Sequence, residues 1–171
     1  TAYDGTSALH VAFKRTNKVA LPVAIELLRL GGSAAGAVVD ETNISVLCAA
    51  LENISNIESS VLLSLIDSGK EVLNEKNGNG LTPLGVSLSR TDPRPSDEVM
   101  FALIDGSTLN LIDGDAEKCS PQALLQLAFG TSASEAVILH LLRAGGEQSV
   151  AATSCLDGVV GVNVLHAAFG Q

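Results

Sequence analysis

The sequence of 171 residues predicts an all-α repeat protein, because two short motifs recur along it with a nearly fixed spacing. In the first motif a valine precedes two aliphatic residues by four and five positions, and its copies begin 38 residues apart, at Val23, Val61, Val99 and Val137. In the second motif a leucine precedes a small residue by three positions and a Phe or Leu by four, and its copies begin at Leu9, Leu47, Leu84, Leu125 and Leu165. A period of about 20–50 residues is typical of solenoids, in which each unit is one supersecondary element.

Each unit is predicted to contain two helices, since spacings of three and four residues place the recurring side chains on one helical face. The leucine motif predicts a short first helix in each unit, over residues 7–14, 45–52, 83–89, 121–129 and 163–170. The valine motif predicts a longer second helix, over residues 21–30, 57–68, 97–105 and 134–144.

Residues at the ends of these segments support the predicted helix boundaries. Thr82 is a hydroxyl N-cap candidate that precedes Pro83, and proline is favoured at the first helical position. Ser96 can cap the helix that begins at residue 97. The second helices are followed by glycines, where we expect the chain to turn through the left-handed region; these are Gly31, Gly32, Gly69, Gly106, Gly145 and Gly146.

The stretches between units are rich in turn-forming residues, and residues 72–80 show this most clearly. Asn-Gly pairs flanked by apolar residues are typical of hairpin turns. The run Val72-Leu73-Asn74…Asn77…Gly80-Leu81-Thr82-Pro83-Leu84 resembles the ankyrin repeat, whose signature ends in G-x-T-P-L-H followed by small residues. Weaker copies of that signature occupy residues 4–12 and 161–168.

This resemblance implies an ankyrin-like solenoid of helix-turn-helix units joined by β-hairpin-like loops. We expect one array over residues 1–171 that forms a segment of a longer protein, with units at about 1–37, 38–74, 75–111 and 112–152 and a partial fifth at 153–171. The period of 38 exceeds the 33 of the family, and the extra residues lie mostly between paired helices, as at 89–95. A HEAT-like helical solenoid is therefore the alternative fold.

In the resembled family, partners contact the residues around the hairpin glycine and the end of the first helix. On this chain the resemblance therefore implies a partner surface made of Tyr3, Asp4, Thr6, Lys14, Arg15, Glu41, Thr42, Ile44, Glu52, Asn53, Asn79, Leu81, Ser89 and Arg90. The fourth unit departs from the motif and contributes Asp113, Asp115, Glu117 and Thr131 only approximately. At the far end Val159, Val160 and Val162 form an apolar tip.

The candidate chemical residues favour structural roles over catalytic ones. The resemblance implies that His10 and His166, which share one position in two units, bond backbone of a neighbouring turn. Cys48 occupies that position in the second unit, so we expect a small buried residue there. His140 has no Cys or carboxylate at ligand spacing and is expected on the surface or between helices. We predict no catalytic residues, no metal and no cofactor.

The charge balance constrains the partner. Ten Lys and Arg residues against nineteen Asp and Glu residues give a formal net charge of −9, which argues against a nucleic-acid groove. We expect the recurring carboxylates to lie along one rim of the array, where they would attract a basic protein or peptide segment; they are Asp40, Glu41, Asp113, Asp115, Glu117 and Asp157.

These observations predict a non-catalytic interaction or scaffold module in the cytoplasm. No apolar run reaches the roughly 18–20 residues that a membrane span needs, and the three cysteines are few, widely spaced and odd in number, as in a reducing compartment. The alternative is that the array is an accessory segment of a larger enzyme or membrane protein.

Overall fold

A computed structural model of the chain describes residues 7–14, 20–31, 40, 44–53, 55, 57–107, 121–145, 154–156 and 159–162. This part of the chain is mainly helical, as predicted. Its helices are α1 (Ala8–Lys14), α2 (Ala20–Gly31), α3 (Val46–Glu52), α4 (Ser59–Ser68), α5 (Pro83–Ser89), α6 (Asp97–Gly106), α7 (Pro121–Gly130) and α8 (Glu135–Gly145). A 3-10 turn, Lys70–Val72, follows α4. The strands β1 (Ser154–Leu156) and β2 (Val159–Val162) pair antiparallel. The predicted helix at 163–170 lies outside the described residues.

Seven of the helices in the described part of the chain pack in two rows, and α2 packs on α1. The short helices α1, α3, α5 and α7 contact one another in chain order, and α4, α6 and α8 form a second row beside them. Each short helix also packs on the longer helix that follows it, as α1 does on α2 and α7 on α8. Every helix pair is therefore in contact with the pair that precedes it.

The core lies between the two rows and is built from aliphatic side chains. Leu47, Leu51, Leu65, Leu84 and Leu103 are fully buried, and the small Ala49 and Ala50 of α3 are buried as well. Small residues between large ones let neighbouring helices approach closely. The leucine motif and the valine motif thus supply the two facing sides of one continuous core.

The helix starts follow the predicted caps. Thr82 Oγ1 accepts a hydrogen bond from the Gly85 N–H at 3.3 Å, and Ser96 Oγ accepts one from the Val99 N–H at 3.5 Å. Ser45, which was placed inside the predicted helix, instead caps α3 by accepting from the Cys48 N–H at 3.1 Å. These hydroxyls satisfy N–H groups that have no partner within the helix.

The predicted left-handed conformation at the helix-ending glycines is wrong for the described ones: Gly31 and Gly145 are the last residues of α2 and α8, and Gly69 and Gly106 also lack a positive φ. Gly69 follows α4 with φ −110° and ψ 29°, and the chain continues with right-handed twist into the 3-10 turn. Gly106 is the last residue of α6, and a Cβ atom there would lie 2.5 Å from Leu73 Cδ1. A glycine is thus needed at position 106 because the end of α6 lies close to the preceding turn, which contains Leu73.

The stretch 72–80 also differs from the prediction, because it contains turns and no strand pair. Gly80 alone matches the left-handed expectation there, with φ 76°. The turn holds its shape through side-chain bonds, which are described below. Among the described residues, strand pairing occurs between β1 and β2 only.

Candidate functional site

The predicted partner surface is only partly described by the structure. Ile44, Glu52, Asn53, Asn79, Leu81, Ser89, Arg90 and Thr131 lie within the described residues, and Lys14 is the last residue of α1. Tyr3, Asp4, Thr6, Arg15, Glu41, Thr42, Asp113, Asp115, Glu117, His166 and Asp157 lie outside them. For Val159, Val160 and Val162 the structure describes strand β2 but not their side chains. The site is therefore built from the turn before α5 and the ends of α3, α5 and α7.

The turn before α5 is organised by Asn77, whose side chain is buried with 6% exposure. Asn77 Oδ1 accepts hydrogen bonds from the N–H groups of Asn79 and Leu81, both at 3.0 Å. The Asn77 N–H donates to the Leu81 carbonyl at 2.9 Å, and the Gly80 N–H donates to the Asn77 carbonyl at 2.8 Å. One side chain thus satisfies two backbone donors that the turn would otherwise leave without partners.

The same arrangement occurs one unit earlier, at Asp40 and Ile44. The Asp40 N–H donates to the Ile44 carbonyl at 3.1 Å, and Asp40 Oδ1 accepts from the Ile44 N–H at 3.0 Å. Asp40 is only 8% exposed. Its expected place on an exposed acidic rim is therefore wrong, because its carboxylate is used as a local acceptor in the turn.

His10 joins this turn to the first unit, as the resemblance implied. The Ile44 carbonyl can only accept, so His10 Nε2 donates to it at 2.8 Å. The other ring nitrogen, Nδ1, accepts from the Ser7 N–H at 3.3 Å and lies 2.8 Å from the Ser7 hydroxyl oxygen. His10 is fully buried. Its contacts are those of a structural residue, and Cys48, at the equivalent position of α3, is buried with 2% exposure as predicted.

At the other end of the short helices, two arginines connect three units. Arg90 Nη1 donates to the Glu52 carbonyl, the last residue of α3, at 2.7 Å. Arg94 Nε donates to the Arg90 carbonyl at 3.3 Å, while its Nη1 and Nη2 donate to the Ser132 and Thr131 carbonyls after α7. Cations near helix C-termini are favourable because the carbonyls there lack helical partners.

These contacts divide the predicted partner residues into two groups. Asn79 and Ser89 are exposed, and the bonds they make run to their own turn or helix. Ile44 and Arg90 are half-buried and bond neighbouring units through backbone or guanidinium. The exposed side chains are free to vary without loss of the bonds between units.

Sequence reasoning missed the roles of Asn77 and Arg94. For Asn77 the sequence does contain a signal. Asp40 and Asn77 are each followed four positions later by an aliphatic residue, and the residue after that is a hydroxyl residue that caps a helix. For Arg94 the signal is weaker, since only its place in the long connection between α5 and α6 distinguishes it.

A groove of about 640 Å³ separates α2 from α4. Contacts between α2 and α4 are sparse, whereas α4 packs closely on α6 and α6 on α8. Ion pairs lie beside the groove: Asp67 Oδ1 is 2.8 Å from Lys70 Nζ, and this bond holds the pKa of the Asp67 carboxyl below its usual range. The groove is lined by Ile25, Leu28, Arg29, Ser60, Val61, Ser64, Asp67 and Ser68.

The candidate chemical residues of the described part of the chain make structural contacts. The described residues contain no group of three or more His, Cys, Asp or Glu side chains that could hold a metal ion. Burial raises the pKa of the Cys48 thiol, which works against a reactive thiolate. His140 packs its ring on Phe101, with centroids 4.7 Å apart, and its Nε2 lies 2.7 Å from Asp105 Oδ1. His140 therefore lies between α6 and α8, as predicted.

No helix in the described part of the chain is both long enough and apolar enough to cross a membrane. Comparisons with protein-family models, with curated proteins and with solved structures found no match to this chain.

Proposed function

We propose that this chain is an ankyrin-like solenoid that binds a protein or peptide partner on the surface formed by its turns and short helices. The observation that carries the proposal is the repeated turn. Asp40 with Ile44 and Asn77 with Leu81 make the same pair of bonds one unit apart. When the same turn recurs in successive units and is held by its own hydrogen bonds, the side chains next to it recur at regular intervals along the array.

The packing of the helices supports the same proposal. Successive short helices stack, and His10 bonds the turn of the next unit. In such an array we expect the exposed side chains next to each turn, such as Asn79, to lie along one edge. A surface of this kind binds through many moderate contacts along its length, and it has no need of a deep pocket.

The charge of the chain supports a basic partner segment. The net charge of −9 creates a field that attracts cations and repels nucleic acid. Since Asp40 is buried in its turn, the proposed attraction rests on the carboxylates of Asp113, Asp115 and Glu117 and on the overall charge. We propose that the module acts without catalysis and in the cytoplasm.

The test uses two fluorescent peptides of equal length, one rich in Lys and Arg and one with Gln at those positions. We expect the basic peptide to bind with an association rate that falls steeply as salt is added. The variant Asp113→Lys, Asp115→Lys, Glu117→Lys should bind more slowly than the parent chain with an unchanged circular dichroism spectrum.

The control variant Glu58→Lys, Glu98→Lys, Glu135→Lys changes the net charge equally. Its three positions lie at or next to the starts of the second helices, away from the turns between units. Equal association rates for the two triple variants, or binding that ignores salt and peptide charge, would reject the proposed surface.

A further inference from the structure

The first helix pair leaves exposed a face that later pairs bury. Val23 in α2 and the equivalent valines of α4, α6 and α8 hold the same position of the repeat. Val61, Val99 and Val137 are 6%, 0% and 2% exposed, whereas Val23 is 54% exposed. Burial of an apolar side chain is favourable, so Val23 leaves exposed an apolar surface that the equivalent positions of the later helices bury.

The short helices show the same difference. Val11 in α1 corresponds to Ala49 in α3 and Val86 in α5 within the leucine motif. Ala49 is 0% and Val86 is 4% exposed, whereas Val11 is 44% exposed. In α7 the same position, Leu127, is half-buried. Both helices of the first pair therefore expose a position that is wholly or partly buried further along, and we call Val11 and Val23 together the upstream face.

The stacking of the later pairs shows what covers this position. Val61 of α4 lines the groove together with Ile25 and Leu28 of α2, so its side chain faces the helix pair that precedes it. The short helices stack in the same order, α1 on α3 and α3 on α5. At Val61, where the neighbouring side chains are shown, the neighbour is thus the preceding helix pair.

The charge compositions of the first two units differ in sign. Residues 1–37 contain four basic residues (Lys14, Arg15, Lys18, Arg29) and two acidic ones. Residues 38–74, which form the next unit, contain six acidic residues and one lysine. A helix pair with the composition of the second unit would therefore carry a net charge opposite to that of the first unit.

We propose that the upstream face is an interaction surface for one further helix pair of this repeat pattern, stacked on α1 and α2 as those helices stack on α3 and α4. The occupant presents small and aliphatic side chains to Val11 and Val23 and carries net negative charge. This inference rests on burial at equivalent positions, and it holds whether or not the turns bind a basic partner.

The experiment places a copy of residues 38–74 directly before residue 1 of the full chain. In a stacked array each added neighbour stabilises the unit that it contacts. We expect amide hydrogen exchange in α1 and α2 to slow by about tenfold or more relative to the unextended chain. The melting temperature of the extended protein should rise as well.

Two substitutions separate stacking from a nonspecific effect of the added residues. Val11→Lys with Val23→Lys should abolish the slowing of exchange in the extended protein and change the unextended chain little, because both side chains are exposed there. The control is Leu139→Lys on α8, where the leucine is 43% exposed. That variant should keep the slowing.

The proposal would be overturned if the extension left amide exchange in α1 and α2 unchanged. It would also be overturned if exchange were still slowed in the extended protein that carries Val11→Lys and Val23→Lys. Sedimentation velocity of the unextended chain provides the second readout. If this chain forms dimers that the Val11→Lys, Val23→Lys variant does not form, the face binds a second copy and the proposed occupant is wrong. A monomer at all accessible concentrations is the result we expect.

Discussion

Replacing Asn77 by alanine should destabilise the protein by about 2 kcal/mol. The side chain is buried, and its Oδ1 accepts two backbone hydrogen bonds at 3.0 Å. Each intramolecular hydrogen bond contributes about 1 kcal/mol net. The Leu81 N–H is half-buried and loses its acceptor, while the N–H of the exposed Asn79 can bond water. The two losses together give the expected magnitude.

Thermal unfolding followed by circular dichroism measures this change. For a chain of this length about 1 kcal/mol corresponds to about 2–4 °C, so the melting temperature should fall by about 4–8 °C. Hydrogen exchange of the Leu81 amide should accelerate more than that of the α7 amides, because the loss is local to the turn.

Asn77→Asp is the matched control, because Asp40 fills the equivalent place in the preceding turn. A carboxylate keeps an acceptor in the position of Oδ1, so this variant should melt close to the parent chain. If the Asn77→Ala variant had the same melting temperature as the parent chain, the side chain of Asn77 would not be what stabilises the turn. If the melting temperature fell equally in both variants, the neutral amide of Asn77 would be required for a reason other than its acceptor oxygen.

The remaining predictions concern single residues. Gly80→Val should cost about 1–3 kcal/mol in urea unfolding, because Gly80 has φ 76° and a β-branched residue resists positive φ; Gly80→Asn should cost less. Arg94→Lys should cost about 1–2 kcal/mol in the same assay, since an ammonium cannot replace the guanidinium fork that bonds the carbonyls of two residues. With Cys119 and Cys155 replaced by serine, Cys48 should react with a thiol reagent only on unfolding, because its thiol is buried and its pKa is raised.

The helices were predictable from the sequence because several signals coincide at each of them. At α5 the leucine motif, the cap at Thr82 and the proline at the first position all indicate the same start. At α6 the valine motif and Ser96 agree in the same way. Agreement between periodicity and end signals makes boundaries accurate to about two residues.

The turns and the spacing between helices were less predictable. Residue type alone cannot show whether an Asp in a turn carries a surface charge or accepts local backbone N–H groups, and Asp40 does the second. Gly69 and Gly106 recur with the period, yet one leads into a right-handed turn and the other allows the approach of Leu73. The groove beside α2 depends on tertiary packing that no local pattern records.

Three of the side-chain bonds between units share one chemistry, which does not depend on the side chain of the accepting residue. His10 donates to the Ile44 carbonyl, Arg90 to the Glu52 carbonyl and Arg94 to carbonyls after α7. In each case the acceptor is backbone, so the side chain at the accepting residue is not specified by the bond. Stacking then constrains the donors, the core and the turn-forming Asn or Asp, while the side chain of an exposed residue such as Asn79 takes no part in these bonds. The long connection between α5 and α6 fits this division, because its extra length carries Arg94 to the next unit.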